Sequence, residues 1–292
     1  MPNREKKSSN SKLSIVIVNY NSTKYLNILL KSLNNIKNII GEIIIVDNNS
    51  NDIIKLKTAK KITILKNNEN LGFSKAVNQG IKRSKYKFIL LLNPDCVLID
   101  NSIKKIFKKI KTDKQIGIIG GKIVNGKKNQ YTATAKPTFA TGLFEFTNLK
   151  KIFPKNKFSK KFWIENKIQK ISKPINVTSL CGAFILFRKK FNNKAVLFDE
   201  KFFLYMEDID FGIELKKRGA KIIFDPRSKI KHIGGCSNKS KYNTVLRHWY
   251  WSRNYFFNKH LKKWQSKILS TIFFIEKHLL YFYHYLKNEP TE

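Results

Sequence analysis

The sequence predicts an α/β fold, a mostly parallel sheet flanked by helices, on three observations. Apolar runs of strand length recur at 13–18, 42–46, 62–65 and 88–92. Segments of helical period separate them, as at Leu26, Leu29, Leu30 and Leu33. Three of the runs stop at polar, turn-forming residues: Asn19-Tyr20-Asn21, Asp47-Asn48-Asn49-Ser50 and Asn93-Pro94-Asp95. Buried strands alternating with helices make a parallel sheet with right-handed crossovers.

Residues 1–12 are polar and basic, read as a disordered tail without the apolar core of a signal peptide. The strand at 13–18 leads into a helix that Ser22 or Thr23 caps, and Gly41 leads into the strand at 42–46. A short helix and the strand at 62–65 follow. Gly72 opens a helix from 74 to 82, at a junction where a left-handed or very close backbone suits glycine. The strand at 88–92 stops at Asn93-Pro94, because proline fixes φ and carries no N–H. Asp95 then stands beyond the carboxyl end of a parallel strand, where open α/β sheets place their ligands. Residues 101–111 form a basic amphipathic helix with Ile103, Ile106, Phe107 and Ile110 on one face. Residues 116–124 read as a strand with a close backbone approach at its glycines.

Between 125 and 175 the pattern blurs. Nine lysines lie from Lys150 to Lys173 among Phe153, Phe158, Phe162 and Trp163, with only Glu165 opposing them. A membrane-facing or acceptor-binding flap and a solvated lysine-rich surface fit equally. Order returns at 177–188. A helix through Gly212, Ile213 and Leu215 is stopped by Gly219, followed by a strand at 221–224 and a second short element at 230–235. Residues 244–255 and 268–286 read as helices. The last carries a stripe of Leu269, Ile272, Phe273, Leu279, Tyr283 and Leu286. Its Glu276, Lys277, His278 and His284 exclude a simple membrane span, so it either packs on the body or lies at an interface.

Charge sets the partners. Lys plus Arg number 58 against 20 for Asp plus Glu, a formal net charge of +38. Such a surface attracts anionic lipid, phosphorylated substrates or nucleic acid. No zinc-finger spacing or RNA-binding signature accompanies the charge, so nucleic acid is not expected. Cys96, Cys181 and Cys236 form no C-x-x-C pair, which fits a reducing compartment. No apolar run reaches the ~20 residues that cross a bilayer. The expected location is cytoplasmic, with peripheral association at the inner face of the membrane open. Neither a G-x-G-x-x-G fingerprint nor a Walker A motif is present, which argues against a dehydrogenase or an NTPase.

Carboxylates are scarce, so their clustering is informative. Asp199, Glu200, Glu207, Asp208 and Asp210 are five acids within twelve residues. They fit a charged helix N-terminus or a general base whose proton affinity its acidic neighbours raise. Taken with the strand ends, they suggest a nucleotide site. Asp47 and the first loop would read a base, and Asp95 would hold a divalent cation with His232 as a further ligand.

In this order and at these spacings, five segments resemble a family 2 glycosyltransferase of the GT-A fold, especially its bacterial rhamnosyltransferase-like branch. They are Val18-Asn19-Tyr20-Asn21, Val46-Asp47-Asn48-Asn49-Ser50, Asn70-Leu71-Gly72-Phe73 with Asn78-Gln79-Gly80, Leu92-Asn93-Pro94-Asp95, and Phe203-Leu204-Tyr205-Met206-Glu207-Asp208-Ile209-Asp210. The resemblance runs from about Leu13 to Ser237, more weakly through Asn254.

It implies that Asn19, Tyr20, Asn21, Asp47 and Asn49 belong to the nucleotide-base pocket. Asn70, Gly72 and Asn78 would belong to the base and ribose side. Asn93-Pro94-Asp95 stands at the metal-binding Asp-x-Asp position with Asn93 replacing one Asp, leaving a single carboxylate for Mn2+ or Mg2+. Asp208 matches the catalytic base, with Glu207 and Asp210 as supporting acids. Gly182 resembles the acceptor-side loop, His232 matches a His near the metal, and Arg253 would meet phosphate.

The resemblance further implies a catalytic domain over 13–235, with a nucleotide-sugar half at about 13–124 and an acceptor half at about 125–235. A helical C-terminal extension would cover 236–292. The implied reaction is inverting transfer from a nucleotide-sugar donor (dTDP-rhamnose, a UDP-hexose or a UDP-N-acetylhexosamine) to a glycan, lipid-linked or protein acceptor. A homodimer stays open. Two other functions fit less well: nucleotidyltransfer onto a sugar phosphate, disfavoured because no Gly-rich basic loop follows Val18, and a non-catalytic basic module binding nucleic acid or anionic membrane, which has no need of acids at Asp47, Asp95 and Asp208.

Overall fold

A computed structural model describes residues 12–52, 61–125, 128–129, 132–164, 171–233 and 242–286. The tail before residue 12, the short helix expected after the second strand, Gly234-Gly235 and Cys236 lie wholly or largely outside the described residues.

The strands β1 (Leu13–Asn19), β2 (Ile40–Asp47), β3 (Ile62–Lys66) and β4 (Phe88–Leu92) are mutually parallel in the order β3-β2-β1-β4. Beyond β4 the sheet continues through Phe184–Arg188, Ile116–Asn125 and Lys221–His232, with the short Cys96–Val97 at the far edge. In chain order these are β5 (Cys96–Val97), β6 (Ile116–Asn125), β7 (Phe184–Arg188) and β8 (Lys221–His232). β7 is antiparallel to both its neighbours, while β8 runs parallel to β6. The expected α/β architecture is therefore present, with one reversed strand at its centre.

Strand alternation assigns side chains to two layers. Ile15, Ile17, Ile43, Ile45, Leu90 and Leu92 face one core with helices α1 (Thr23–Ser32) and α3 (Ile103–Thr112). Val16, Val18, Ile44, Val46, Ile89 and Leu91 face the other, under α2 (Phe73–Arg83) and α7 (Glu207–Lys217). Both faces are covered, which is why these runs read as continuous apolar stretches. A third, aromatic core joins α4 (Phe139–Phe146) and α6 (Lys157–Trp163) to the C-terminal helices α8 (Tyr242–His260) and α9 (Lys263–Leu286), through Phe146, Phe162, Phe256, Phe257, Leu269 and Phe273. Between α4 and α6 lies the single turn α5 (Leu149–Ile152).

Three local expectations change. Neither Ser22 nor Thr23 caps α1 through its side chain; Asp52 accepts the Thr23 N–H at 2.7 Å instead. The strand at 221–224 and the element at 230–235 join into one strand, β8, whose register with β6 shifts between Phe224 and Lys229. The close approach in β6 is between strands: a Cβ on Gly120 would lie 2.8 Å from the Phe184 carbonyl oxygen, and one on Gly121 would lie 2.1 Å from that of Ser228.

Candidate active site

The topology brings distant residues to one edge. The parallel strands β1, β2 and β4 end at Asn19, Asp47 and Leu92 on the same side of the sheet. Because β7 runs the other way, it begins there, with Phe184 opposite Leu92. The Asn93 N–H donates to the Ala183 carbonyl at 3.1 Å, tying the loop after β4 to the loop before β7. β8 ends at the same edge, with His232 paired to Cys96, and the Ile233 N–H donates to the Asp95 carbonyl at 3.1 Å. His232 Nε2 thus lies 3.0 Å from Asp95 Oδ1. The first turn of α7 closes the arrangement: the Gly182 N–H donates to Asp208 Oδ2 at 3.1 Å.

These loops enclose a cavity of ≈ 980 Å³. Tyr20, Asn70, Gly72, Asn93, Asp95, Gly182, Glu207, Asp208 and His232 line it, so most of the residues singled out from the sequence share one space. Asn48 lines it too, and it organises that wall. Its Nδ2 donates to Asn70 Oδ1 at 2.7 Å, and its Oδ1 accepts from the Leu71 N–H at 3.1 Å and from Asn67 Nδ2 at 3.0 Å. Asn19 and Asp47 are buried just outside the lining, with Asn19 Nδ2 donating to Asp47 Oδ1 at 3.3 Å and to Ser50 Oγ at 3.0 Å. Asn21 and Asn49 take positive φ of 50° and 67°, turning the chain at the ends of β1 and β2. Asn is the residue other than glycine that tolerates this region best.

Gly72 has φ 82°, and a Cβ there would meet the Phe203 carbonyl oxygen at 2.7 Å. The Phe73 N–H donates to that same oxygen at 2.7 Å, so the start of α2 is pinned to the segment preceding α7. In that segment Tyr205 and Met206 both sit in the left-handed region, at φ 72° and 68°. Two consecutive bulky residues there cost about 1–3 kcal/mol each. α8 holds them in place: His248 stacks on Phe203 at 3.9 Å, Ser252 Oγ donates to the Leu204 carbonyl at 2.7 Å, and Trp249 meets Tyr205 edge-on at 5.5 Å. The strained turn aims Glu207 and Asp208 into the cavity.

Burial raises both acids. Glu207 is pushed up to about 8 by burial and then by the neighbouring Asp208 charge. Asp208 is raised by burial, while the Gly182 and Ile209 N–H groups partly offset this by stabilising its charged form. Near neutral pH Glu207 therefore keeps its proton, and the N–H groups at Asp208 favour its charged form, the form that accepts a proton from a bound hydroxyl. Across the cavity, Asp95 and His232 offer a carboxylate and an imidazole close enough to share a divalent cation. Cys96 lies within the same group, but burial pushes its thiol well up and it donates to the Ala183 carbonyl at 3.3 Å, so it stays a thiol. The donor set fits a cation held by Asp95 and His232.

Three expected site residues are placed elsewhere. Asn78 is buried and bonds both ways with the Phe198 backbone, each at 2.9 Å, fastening α2 to the segment before α7. Asp210 faces away from the cavity, 2.6 Å from His260 Nε2 and 2.8 Å from Lys259 Nζ, and anchors the end of α8. Arg253 is buried, with Glu276 of α9 at 3.1 Å, a bond to the Phe146 carbonyl and the Tyr250 and Phe273 rings stacked around it. It holds α8 to α9 and α4 and is not among the residues that line the cavity. Arg247 and His248 of the same helix do line the cavity, together with Glu145, Trp163 and Trp249. Glu145 is paired with Lys150, and its Oε2 is buried without a hydrogen-bond partner among the described residues. Its only signal in the sequence is an acid within an apolar helix of an acid-poor chain.

Known proteins resemble this chain in sequence and in fold. A N-acetylglucosaminyl-diphospho-decaprenol L-rhamnosyltransferase of Mycobacterium tuberculosis is 24% identical over 235 residues, covering 75% of this chain and 75% of that protein. A poly-beta-1,6-N-acetyl-D-glucosamine synthase of Staphylococcus aureus is 25% identical over 114 residues, 37% of this chain and 28% of that protein. Among solved structures, GalNAc-T7 with UDP, GalNAc and Mn2+ superposes with a TM-score of 0.56 at 17% identity, covering 96% of this chain and 58% of that one, a likeness of fold. The glycosyl transferase family 2 profile matches residues 14–195, from β1 through β7 and the loop beyond it. The chain belongs to glycosyl transferase family 2 and is a glycosyltransferase of the GT-A fold.

Proposed function

We propose that this enzyme transfers a sugar, with inversion, from a nucleoside-diphosphate sugar to a hydroxyl of a lipid-linked glycan, with Asp208 as the general base. The observation that carries the reading is the ionisable pair Glu207–Asp208, buried in the cavity that Asp95 and His232 also line. Asp208 takes the acceptor hydroxyl proton as the oxygen attacks the anomeric carbon. The new C–O bond forms on the face opposite the breaking bond to phosphate, and the electron pair leaves with the diphosphate. Glu207, protonated, keeps a second negative charge away from the base. The Asn48–Asn70 wall and Tyr20 would receive the base and ribose.

Mn2+ or Mg2+ would be held by Asp95 and His232, and when bound it supplies positive charge against the departing diphosphate. Support for a lipid-diphosphate acceptor comes from the mycobacterial relative, whose name states such an acceptor, and from Lys150, Arg247 and His248 in the cavity wall. The same relative favours dTDP-rhamnose among the donors. The test is release of nucleoside diphosphate from a panel of nucleotide sugars, with and without manganese. Turnover of one donor, stimulated by the metal and by a short-chain lipid-diphosphate glycan, is the expected result. Turnover of none would remove the reading.

A further inference from the structure

We infer that one face of α9, together with the outer end of α5, docks on an anionic bilayer surface. α9 carries two apolar stripes. One, at Leu269 and Phe273, is buried in the aromatic core. The other, at Trp264, Ile268, Ile275, Leu279 and Phe282, follows the helical repeat along an adjacent flank and faces outward, with Leu279 63% and Phe282 59% exposed. The amphipathic helix α3 behaves differently, since its four apolar side chains Ile103, Ile106, Phe107 and Ile110 are all buried. A repeat of large side chains kept in water over five turns costs stability unless something covers it.

The neighbouring surface says what covers it. The Asn148 N–H donates to Glu276 Oε1 at 2.5 Å, so α5 starts one residue from the contact that Ile275 flanks on α9. Ile152 and Phe153 are exposed at the end of that turn, at 67% and 52%. Exposed basic residues adjoin these side chains along the chain: Lys151, Lys155, Lys160 and Lys161 near Ile152 and Phe153, and Lys263 and Lys267 near Trp264 and Ile268. Between Phe146 and Ile164 there is no acid, and between Tyr242 and Leu286 there is only Glu276, buried against Arg253. A second copy would bring two cationic faces together, which repels. Exposed apolar and aromatic side chains with lysines beside them in the chain suit the head-group boundary of an anionic bilayer, where rings and aliphatic groups enter and ammonium groups meet phosphate. No helix among the described residues is long and apolar enough to cross a membrane, so contact would be from the side.

Phe146 and Lys150 line the cavity within a few residues of Ile152, so docking in this way would bring the cavity towards the lipid surface. That consequence rests on the membrane-borne acceptor proposed above; the docking face itself does not. The experiment is co-sedimentation of the full chain with vesicles of phosphatidylcholine alone or with about one-third phosphatidylglycerol at physiological salt. Leu279→Ser/Phe282→Ser and Lys151→Gln/Lys155→Gln would run beside the wild type. Expected is binding that requires phosphatidylglycerol and falls about tenfold in the first variant, with thermal melting and nucleotide-sugar turnover unchanged, and a smaller fall in the second. Equal binding to neutral vesicles, wild-type binding by the first variant, or a wild-type dimer that this variant dissociates would each overturn the docking face. Binding as expected alongside turnover of no nucleotide sugar would instead overturn the proposed function alone.

Discussion

On the Asn48–Asn70 wall of the cavity, polar side chains are held by strand ends and by one another; on the Glu207–Asp208 wall, two acids are held by burial and by a strained turn that α8 clamps from outside. The first wall is local and hydrogen-bonded, with Asn67 and Gln79 extending the network at 2.9 and 3.0 Å. The second depends on residues more than forty positions downstream, such as His248 and Ser252. The difference suits the two tasks proposed for them. A rigid, pre-formed polar wall orients a ligand without titrating, whereas a base must be buried enough to hold a raised proton affinity.

The sharpest way to break this comparison is Asp208→Asn. The amide keeps the shape and still meets the Gly182 loop, but it cannot accept the acceptor proton. Initial rates of transfer should fall about a thousandfold, with nucleotide-sugar affinity by calorimetry within about twofold, because the other wall is untouched. Transfer at the wild-type rate would move the base elsewhere.

Next in size is Arg253→Met. Removing one partner of the buried pair leaves Glu276 uncompensated, which costs about 3–5 kcal/mol. The expected result is a lower midpoint of thermal and urea unfolding with an unchanged KM for the donor in the folded fraction. If KM rises and the midpoint holds, Arg253 does meet phosphate and the placement of α8 must change. Asp95→Ala should come third, lowering kcat about a hundredfold in saturating manganese and abolishing manganese-induced stabilisation of the melting transition. Retention of that stabilisation would take the cation away from Asp95 and His232.

What could be read from the sequence divides along the same line. Strand ends, Asn-rich turns and Gly72 announce themselves locally, so the first wall is legible apart from Asn48, whose place at its centre depends on bonds to Asn67, Asn70 and Leu71. Asp95 and His232 were both legible as types. Their 3.0 Å approach needed β8 to pair with β5. Asp208 and Asp210 were grouped as acids of one cluster, yet two residues along a helix is a turn of about 200°, so they face opposite ways. Asn78 and Arg253 were read by family position, whereas long-range packing gives them internal partners. Glu145, Trp163 and Trp249 belong to a wall assembled from three separate helices, and no local pattern encodes such an assembly.

The smallest effect, and the one that tests the division of labour within the second wall, is Glu207→Gln. Glutamine imitates the protonated acid that Glu207 is at neutral pH, so kcat near pH 7 should stay within about threefold of the wild type. Stability should respond in the alkaline direction. The Glu207 carboxyl is raised in the fold from its ordinary 4.5 to about 8, so the folded chain binds this proton more tightly than the unfolded one. Its contribution is therefore full below about pH 4.5 and is lost as pH rises through about 8. Glutamine cannot ionise, so the melting temperature of the variant should gain on the wild type steadily between these values and level off above them. A difference that does not change with pH would mean that Glu207 is already ionised beside Asp208, and the two acids would then have to be read as a paired cation site rather than as a base and its neutral neighbour.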